Sequence, residues 1–498
     1  MDFDVLIAGG GPVGLMTASE LALAGVRTCI VERLKEPSPF SKALTLHPRS
    51  IEILEMRGLG ERFKEIGKPS PSGHFAGLKT GLDFSALDTQ ANFTLIIPQY
   101  ETEKVLEEHA RNLGVCILRD HEVLAFREYE ETAELVVQGP DGLSFLTASY
   151  IVGADGAGST IRKQARIAFS GTDANITAML ADVSLENPPE SHFYTCVNRE
   201  GGVVIVPLDD GIFRVLITAP HMPQALLHEP VTLEELKKEL NRICGTDFGI
   251  DSPVWMSRFG NASKLAEHYR SGRIFLAGDA AHIHFPAGGQ GLNVGLQDAM
   301  NLGWKLAAKI NGRCPDWLLD SYHNERHTVG EALLVNTQIQ TKLFDFTREG
   351  LYLRELLSGI LGFSDVNRYL AEQIAALSVK YKADEKMPEH ELNGKRLPDI
   401  DLTLSDGTVK RLYTFLRDGR FLLAAFGIET KEFSTIPHVR RIQVKAIDGR
   451  PEWNGVKAAL IRPDGHVAWA VDESMENAEQ LIADGIHRWC GNSHIQSV

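Results

Sequence analysis

An α/β fold carrying an inserted, mainly antiparallel β-sheet and a separate C-terminal unit is what this 498-residue sequence predicts, and three observations predict it. Residues 1–34 run from a buried-strand stretch (FDVLIAG) through a Gly-rich turn and a helix-like segment, Val13 to Ala24, into a second strand, RTCIVE. That order is how a parallel-sheet unit begins. Between Phe169 and Gly272 the pattern changes to short alternating segments such as GGVVIVPL and IFRVLITA, which suit an antiparallel sheet with one wet face. RIFLAGDAAH then restarts a buried strand that enters a second Gly-rich loop. A chain this long exceeds what one core usually holds, so two or three domains are expected.

The remaining elements follow in order. Helical patterns occupy Pro48 to Met56 and Tyr100 to Leu113, and strands lead through Leu135 to Val137 into YIVGADG. An amphipathic helix spans Asn293 to Asn311, with further helical segments to about Lys380. The polar stretch KADEKMPEHELNGKRLPD reads as a linker or domain boundary. Beyond it, FLLAAFG, IQVKAI, AALIRP and HVAWAV read as strands, followed by a terminal helix.

Composition narrows the function classes. The net charge of −15 argues against a nucleic-acid surface. The start, MDFDVLIAGGG, reads as a strand and not as a signal peptide, and the most apolar later run, Phe421 to Phe426, is far too short to span a bilayer. Six cysteines (Cys29, Cys116, Cys196, Cys244, Cys314 and Cys490) lie apart with no Cys-x-x-Cys pair. The expectation is a cytoplasmic protein with reduced thiols.

Three motifs carry chemistry. In Gly9-Gly10-Gly11-Pro12-Val13-Gly14, Gly9 permits the tight turn, Gly11 admits a pyrophosphate and Gly14 allows close helix–strand packing. Glu32 closes the next strand, where a carboxylate accepts from ribose hydroxyls, with Arg33 beside it. This Rossmann-like motif alone leaves FAD and NAD both open. The second constellation runs from Gly278-Asp279-Ala280-Ala281-His282 to Pro286, Gly288, Gly289, Gln290, Gly291, Leu292 and Asn293, and continues through Asp298-Ala299. An acid at the strand end can hold a polyol hydroxyl, and amides opening the next helix can stabilise negative charge on a reduced ring. That points to a flavin. The third motif, Gly153-Ala154-Asp155-Gly156 with Ser159 and Arg162, is a strand ending in an acid–Gly pair before a capped helix. His282-x-His284 sits inside the flavin loop without a third placed ligand, so no metal is expected, and no Gly-x-Ser-x-Gly elbow supports a hydrolase.

These motifs, in this order, resemble the group A FAD-dependent aromatic hydroxylases, such as para-hydroxybenzoate hydroxylase, phenol hydroxylase and the aromatic polyketide hydroxylases. The resemblance covers the first ~380 residues. It implies an FAD-binding domain of residues 1–75, 101–167 and 271–385, a substrate-binding middle domain of 76–100 and 168–270, and a thioredoxin-like C-terminal domain of 390–498. The FAD residues it implies are Gly9, Gly11, Pro12, Val13, Gly14, Glu32, Arg33, Lys42, Gln99, Asp155, Gly278, Asp279, Pro286, Gly289, Gly291, Leu292 and Asn293. Gln99, in Pro98-Gln99-Tyr100, matches a flavin-side contact, and Asp155 serves both FAD and the nicotinamide cofactor. Lys42 stands where the family usually has Arg, keeping the charge without the bidentate fork. The C-terminal domain lacks paired cysteines, so a structural or interaction role is expected there.

By the same resemblance, NADPH or NADH reduces FAD, and a flavin C4a-hydroperoxide formed with O2 hydroxylates an aromatic or polyketide-like small molecule. No fixed catalytic side chain is assigned, and the protein is expected to be a monomer or homodimer. His47, Tyr194 and Arg214 are candidates for the substrate side, and Phe193, Tyr194, Phe213, Trp255 and Phe259 are candidate aromatic lining. An antibiotic-inactivating hydroxylase is the near alternative, and a non-enzymatic flavin-binding sensor or interaction protein the distant one. A flavin halogenase would carry a Trp-x-Trp-x-Ile-Pro signature, which does not occur.

Overall fold

The computed structural model describes residues 1–190, 193–208, 211–222, 229–313, 315, 317–427 and 436–491. Its centre is a six-stranded, mostly parallel sheet. From the N-terminus the elements that matter are β1 (Val5–Ala8), α1 (Pro12–Leu23), β2 (Thr28–Glu32), α2 (Pro48–Met56), α3 (Gln99–Asn112), β3 (Cys116–Arg119), β4 (Tyr150–Gly153), β5 (Ile274–Leu276), α4 (Gln290–Ile310) and α5 (Trp317–Lys342). The strand order β5-β4-β1-β2-β3 is parallel throughout, with a short antiparallel edge, Arg270–Ser271, beside β5. All four residues of β1 are buried, as a central parallel strand covered on both faces must be. Helix α1 starts directly after Gly11 with Pro12 in its first turn, where the missing N–H costs nothing. The sequence boundaries for α1, α2, α3 and α4 hold to within three residues, since turn chemistry marks each start.

The inserted unit is a five-stranded antiparallel sheet in the order Tyr194–Asn198, Gly201–Pro207, Ile212–Thr218, Thr177–Leu185, Ile250–Gly260. One face packs on the helix Leu233–Cys244. That helix is capped by Thr232, whose side chain accepts from the Glu235 amide, and it ends at Gly245 in the left-handed region. Residues 76–87, grouped with this unit from the sequence, also pack on the segment that follows α5. Phe75, Leu78, Leu82 and Phe84 share a cluster with Leu343, Leu361 and Ile374 from the helices after α5.

The C-terminal unit is a six-stranded mixed sheet in which Phe421–Phe426 pairs in parallel with Val439–Ala446, covered by the helix Ala478–Cys490. Cys490 is buried there, and Cys314 lies outside the described residues. The polar stretch 382–399, read as a linker or domain boundary, lies just before the C-terminal sheet, whose first strand starts at Asp401, and is a pinned strap rather than a free linker. Asn393 accepts from the Ala470 amide at 2.8 Å, Arg396 pairs with Glu52, and Asp384 pairs with Arg488. Its polar residues find partners in both flanking domains, which composition cannot reveal. A buried network completes the docking: Arg462 bonds Glu325 at 2.9 Å and also meets Asp464, while Lys305 reaches Glu325 at 2.7 Å. Burial alone would raise Glu325, but Arg462 and Lys305 more than offset it and hold the carboxyl down to about 2.

Candidate active site

The three motifs meet at the carboxyl end of the parallel sheet. Gly9 has φ of +104°, and a Cβ there would sit 2.4 Å from the Ala154 carbonyl oxygen. A Cβ on Gly14 would fall 2.0 Å from the Gly9 oxygen, so α1 can approach the turn only because both are glycine. Over Gly11 the same construction meets open space. Pro12 opens the helix, and Val13 packs beneath Gly278. Glu32 ends β2 with both carboxylate oxygens held, one by the Gly10 amide at 2.6 Å and one by the Leu34 amide at 2.9 Å. Arg33 is exposed and lines, with Leu34, Asp120, Glu122 and Gln138, a cavity of about 400 Å³ just past that strand end.

Ser159 caps the short helix Thr160–Gln164, accepting from the Arg162 amide at 2.9 Å, and Asp155 accepts from the Thr160 amide at 2.7 Å and the Ile161 amide at 3.1 Å through one oxygen. Its other oxygen is buried without a partner. Arg162 ties the third motif to the second by donating to the Ala157 and Ala280 carbonyls, each at 2.8 Å. Gly278, in the left-handed region, donates its amide to Asp298, and Asp279 is exposed beyond it. Asp298 is fully buried and also takes His282 and Arg326, both at 2.7 Å. His282 therefore braces the flavin loop through Asp298. Arg326 was not singled out from the sequence, since a lone Arg within a helical stretch carries no motif.

Pro286 is exposed at the start of the loop that reaches α4 through Gly288 and Gly289, both with positive φ. Gly291 and Leu292 lie half-buried in the first turn of α4, and Asn293 is buried. Asn293 donates to the Thr45 and Gly289 carbonyls and accepts from the His47 amide at 2.7 Å. The His47 ring donates from Nε2 to the Gly288 carbonyl at 2.7 Å, while its Nδ1 is buried and bare. Burial pushes His47 down to about 4, and His284 in the same loop likewise to about 4. Gln99 spans two segments, accepting from the Ala43 amide at 3.1 Å and donating to Glu103 at 2.8 Å; Lys42 is exposed beside it.

These residues fit a dinucleotide cofactor. The orphaned Asp155 oxygen, the fixed Glu32 carboxylate, the open space over Gly11 and the N-terminus of α1 supply what a ribose and a pyrophosphate require. The Gly289–Asn293 helix start adds the amides for a ring that gains negative charge.

Alternation along the inserted strands sorts the candidate aromatics. Met179, Ala181, Val183, Val203, Ile205, Val215 and Ile217 are fully buried toward the helix Leu233–Cys244. Tyr194 and Phe213 pack with that cluster, and Tyr194 meets Phe248 edge-on at 5.4 Å. The opposite face presents Leu180, Val204, Leu216, Ser257 and Phe259, all only half-buried. Phe259 packs on Phe285 of the flavin loop at 5.7 Å, and Phe285 on Phe344 at 5.7 Å. Trp255 stacks on Phe40 at 6.1 Å. Phe193 stands apart, stacked on His74 at 5.6 Å. Arg214 is buried and pairs with Asp182. A half-buried apolar face of this kind, opposite the Phe285–Asn293 loop, is chemically suited to a planar, apolar guest. Among the described residues no group of three His, Cys, Asp or Glu could hold a metal, and no helix is long and apolar enough to cross a membrane.

Comparison with known proteins agrees with this geometry. A family model described as FAD binding domain matches residues 2–337, and one described as aromatic-ring hydroxylase, C-terminal, matches residues 390–493. The chain is 56% identical over 490 residues to an uncharacterized aromatic compound monooxygenase of Bacillus subtilis (strain 168), covering 98% of each chain. It is 43% identical to a rifampicin monooxygenase of Streptomyces venezuelae, covering 97% of this chain and 98% of that one. The solved structure of an anhydrotetracycline hydroxylase from Streptomyces rimosus superposes with a TM-score of 0.91 at 39% identity, covering 99% of this chain and all of the other.

Proposed function

Because the chain belongs to the FAD-dependent aromatic-ring hydroxylases, we propose that it uses NADPH or NADH and O2 to place one oxygen atom on an aromatic or polyketide-like small molecule. The observation that carries this reading is the half-buried apolar face of the inserted sheet set against the Pro286–Asn293 loop. When bound, FAD supplies the redox and oxygen-activating chemistry. The chain's own residues do the rest. The Gly9–Gly14 turn and the α1 N-terminus bind pyrophosphate. Glu32 takes ribose hydroxyls, Asp279 takes the polyol chain, and Asp155 offers its free oxygen to the cofactor edge. The first amides of α4 stabilise negative charge on the ring. His47, neutral at physiological pH, and Asn293 hold that helix start in place. Leu180, Val204, Leu216 and Phe259 keep the reacting region dry. The proposal places the reaction in the cytoplasm, where the nicotinamide pool is available.

A second reading, inactivating hydroxylation of a rifamycin- or tetracycline-type antibiotic, is favoured by the near full-length likeness to the rifampicin monooxygenase. One experiment tests both. Purified protein is loaded with FAD, and NADPH oxidation is followed against phenols, quinones, rifamycins and tetracyclines, with product mass as the second readout. Oxidation accelerated by one class, with a product heavier by one oxygen, names the substrate. Protein that takes up no FAD, or oxidises NADPH indifferently to every ligand, overturns the reading.

A further inference from the structure

One side-chain assembly joins the inserted sheet to the cofactor-binding half. Arg214 rises from the strand Ile212–Thr218 on the flavin-facing side, opposite Asp182 in register. Its Nε and one terminal nitrogen grip the two Asp182 oxygens, each at 2.7 Å. The same terminal nitrogen donates to the Ser41 carbonyl, and the other donates to the Lys42 carbonyl at 3.1 Å. Trp255, next to Asp182 in register, stacks on Phe40 at 6.1 Å with an interplanar angle of 13°, and lies 5.7 Å from the guanidinium carbon. Thus Phe40, Ser41 and Lys42, three consecutive residues of the cofactor half, are all held by the inserted sheet. On the other side of this segment, Ala43 is hydrogen-bonded through Gln99.

Donor arithmetic limits what Arg214 can do. A guanidinium has five N–H donors. Four are committed here, two to Asp182 and two to backbone carbonyls. One hydrogen remains, so a bidentate grip on a substrate carboxylate is excluded unless the clamp opens. With its charge met by Asp182 and its body 5% exposed, Arg214 is committed to the segment that carries Lys42.

We propose that Arg214 is a positioning residue that holds the Ser41–Lys42 backbone against the inserted sheet, fixing the Lys42 ammonium over the cofactor phosphates. The inference rests on the FAD-binding reading above. It explains how a lysine serves there: a flexible point charge gains by a rigid backbone what it lacks in planar geometry.

The test is a double-mutant cycle read by FAD affinity, from flavin fluorescence quenching on titration into the apoprotein. Lys42→Met and Arg214→Lys each weaken FAD binding by about tenfold, and the double variant is no weaker than either single one, because Arg214 acts through Lys42. Losses that multiply, or an Arg214→Lys variant that binds FAD like wild type, overturn the proposal. Arg214→Lys keeps the buried positive charge beside Asp182 and so keeps the fold, with the circular dichroism melt as the check. As a second readout, the log of FAD affinity falls less steeply with log salt in both single variants. An Arg214→Lys slope equal to that of wild type also overturns it. Wild-type protein that binds no FAD at all fails the parent reading, a separate outcome.

Discussion

The two faces of the inserted sheet are built from the same strands, yet they do different work. Toward the helix Leu233–Cys244, Met179, Ala181, Val183, Val203, Ile205, Val215 and Ile217 are fully buried; on the opposite face Leu180, Val204, Leu216 and Phe259 stay half-exposed, while Ala178, Thr218 and the Asp182–Arg214 pair are buried. Val215 and Ile217 belong to the core, whereas Leu216 between them is half-buried on the opposite face and Arg214 is committed to Asp182 and the 41–42 backbone. One residue of register thus separates a closed core from a partly open face. Under the function proposed above, incomplete burial in an ordered strand, rather than hydrophobicity alone, is what would mark a substrate wall.

The comparison is broken most severely by a charge on the closed face. Ile217→Asp places an unpaired carboxylate in a dry core, which costs several kcal/mol, about 4 or more. The expected result is insoluble protein, or a melt displaced far below wild type. If Ile217→Asp melts like wild type, the closed face is not a core.

Truncation sharpens the contrast on a milder scale. Ile217→Ala loses about 2–4 kcal/mol in urea unfolding, since a fully buried aliphatic leaves a cavity. Phe259→Ala, on the open face, breaks the contact with Phe285 and shifts unfolding less. It should raise KM for the substrate severalfold and send more of the NADPH-derived electrons to hydrogen peroxide, read by peroxide assay. An Ile217→Ala effect on KM equal to that of Phe259→Ala would erase the distinction.

How much of this was legible in the sequence follows from what repeats locally. The tight Gly9–Gly14 turn, the Gly278–Asp279 turn and the Ser159 cap were readable as local structure, because each such geometry requires specific residue types at fixed spacing. The aromatics were readable only as a set. Tyr194 and Phe213 turn toward the helix, while on the other face Phe259 packs on Phe285 and Trp255 on Phe40, and that partition depends on register with neighbouring strands. Partners far apart in the chain were hidden altogether. Asp182 with Arg214, and Asp298 with Arg326, are ordinary charged residues until the fold brings them together. That the boundary stretch 382–399 is pinned rather than free was hidden for the same reason, since its polar residues are satisfied by groups on other elements.

The pH response gives a smaller effect, to which two histidines beside the 284–293 loop contribute. His47 and His284 are held neutral, each near 4 against an ordinary 6.5. In the unfolded chain both take up a proton as the pH falls through about 6.5, while in the folded protein they do so only near 4. The unfolded state therefore binds more protons between those values, and stability falls as the pH drops through that window. A melt series from pH 7.5 to 4.5 should show declining stability across it. Burial holds His466 down to about 4 as well and lowers His74, so His47→Gln removes one of several such contributions and makes that decline shallower; a slope unchanged in His47→Gln would mean that the ring is already charged in the native loop.

The smallest expected effect is Leu216→Ala. A half-exposed wall residue contributes little to folding, below about 1 kcal/mol, so the melt barely moves. Its neighbours across the ladder, Leu180 and Val204, remain on the same face, and the truncation frees the space of about three carbons there. Bulkier substrates should gain relative to small phenols, measured as the ratio of kcat/KM for the two. The opposite shift, or loss of stability as large as that of Ile217→Ala, would place Leu216 in the core and move the substrate to another surface.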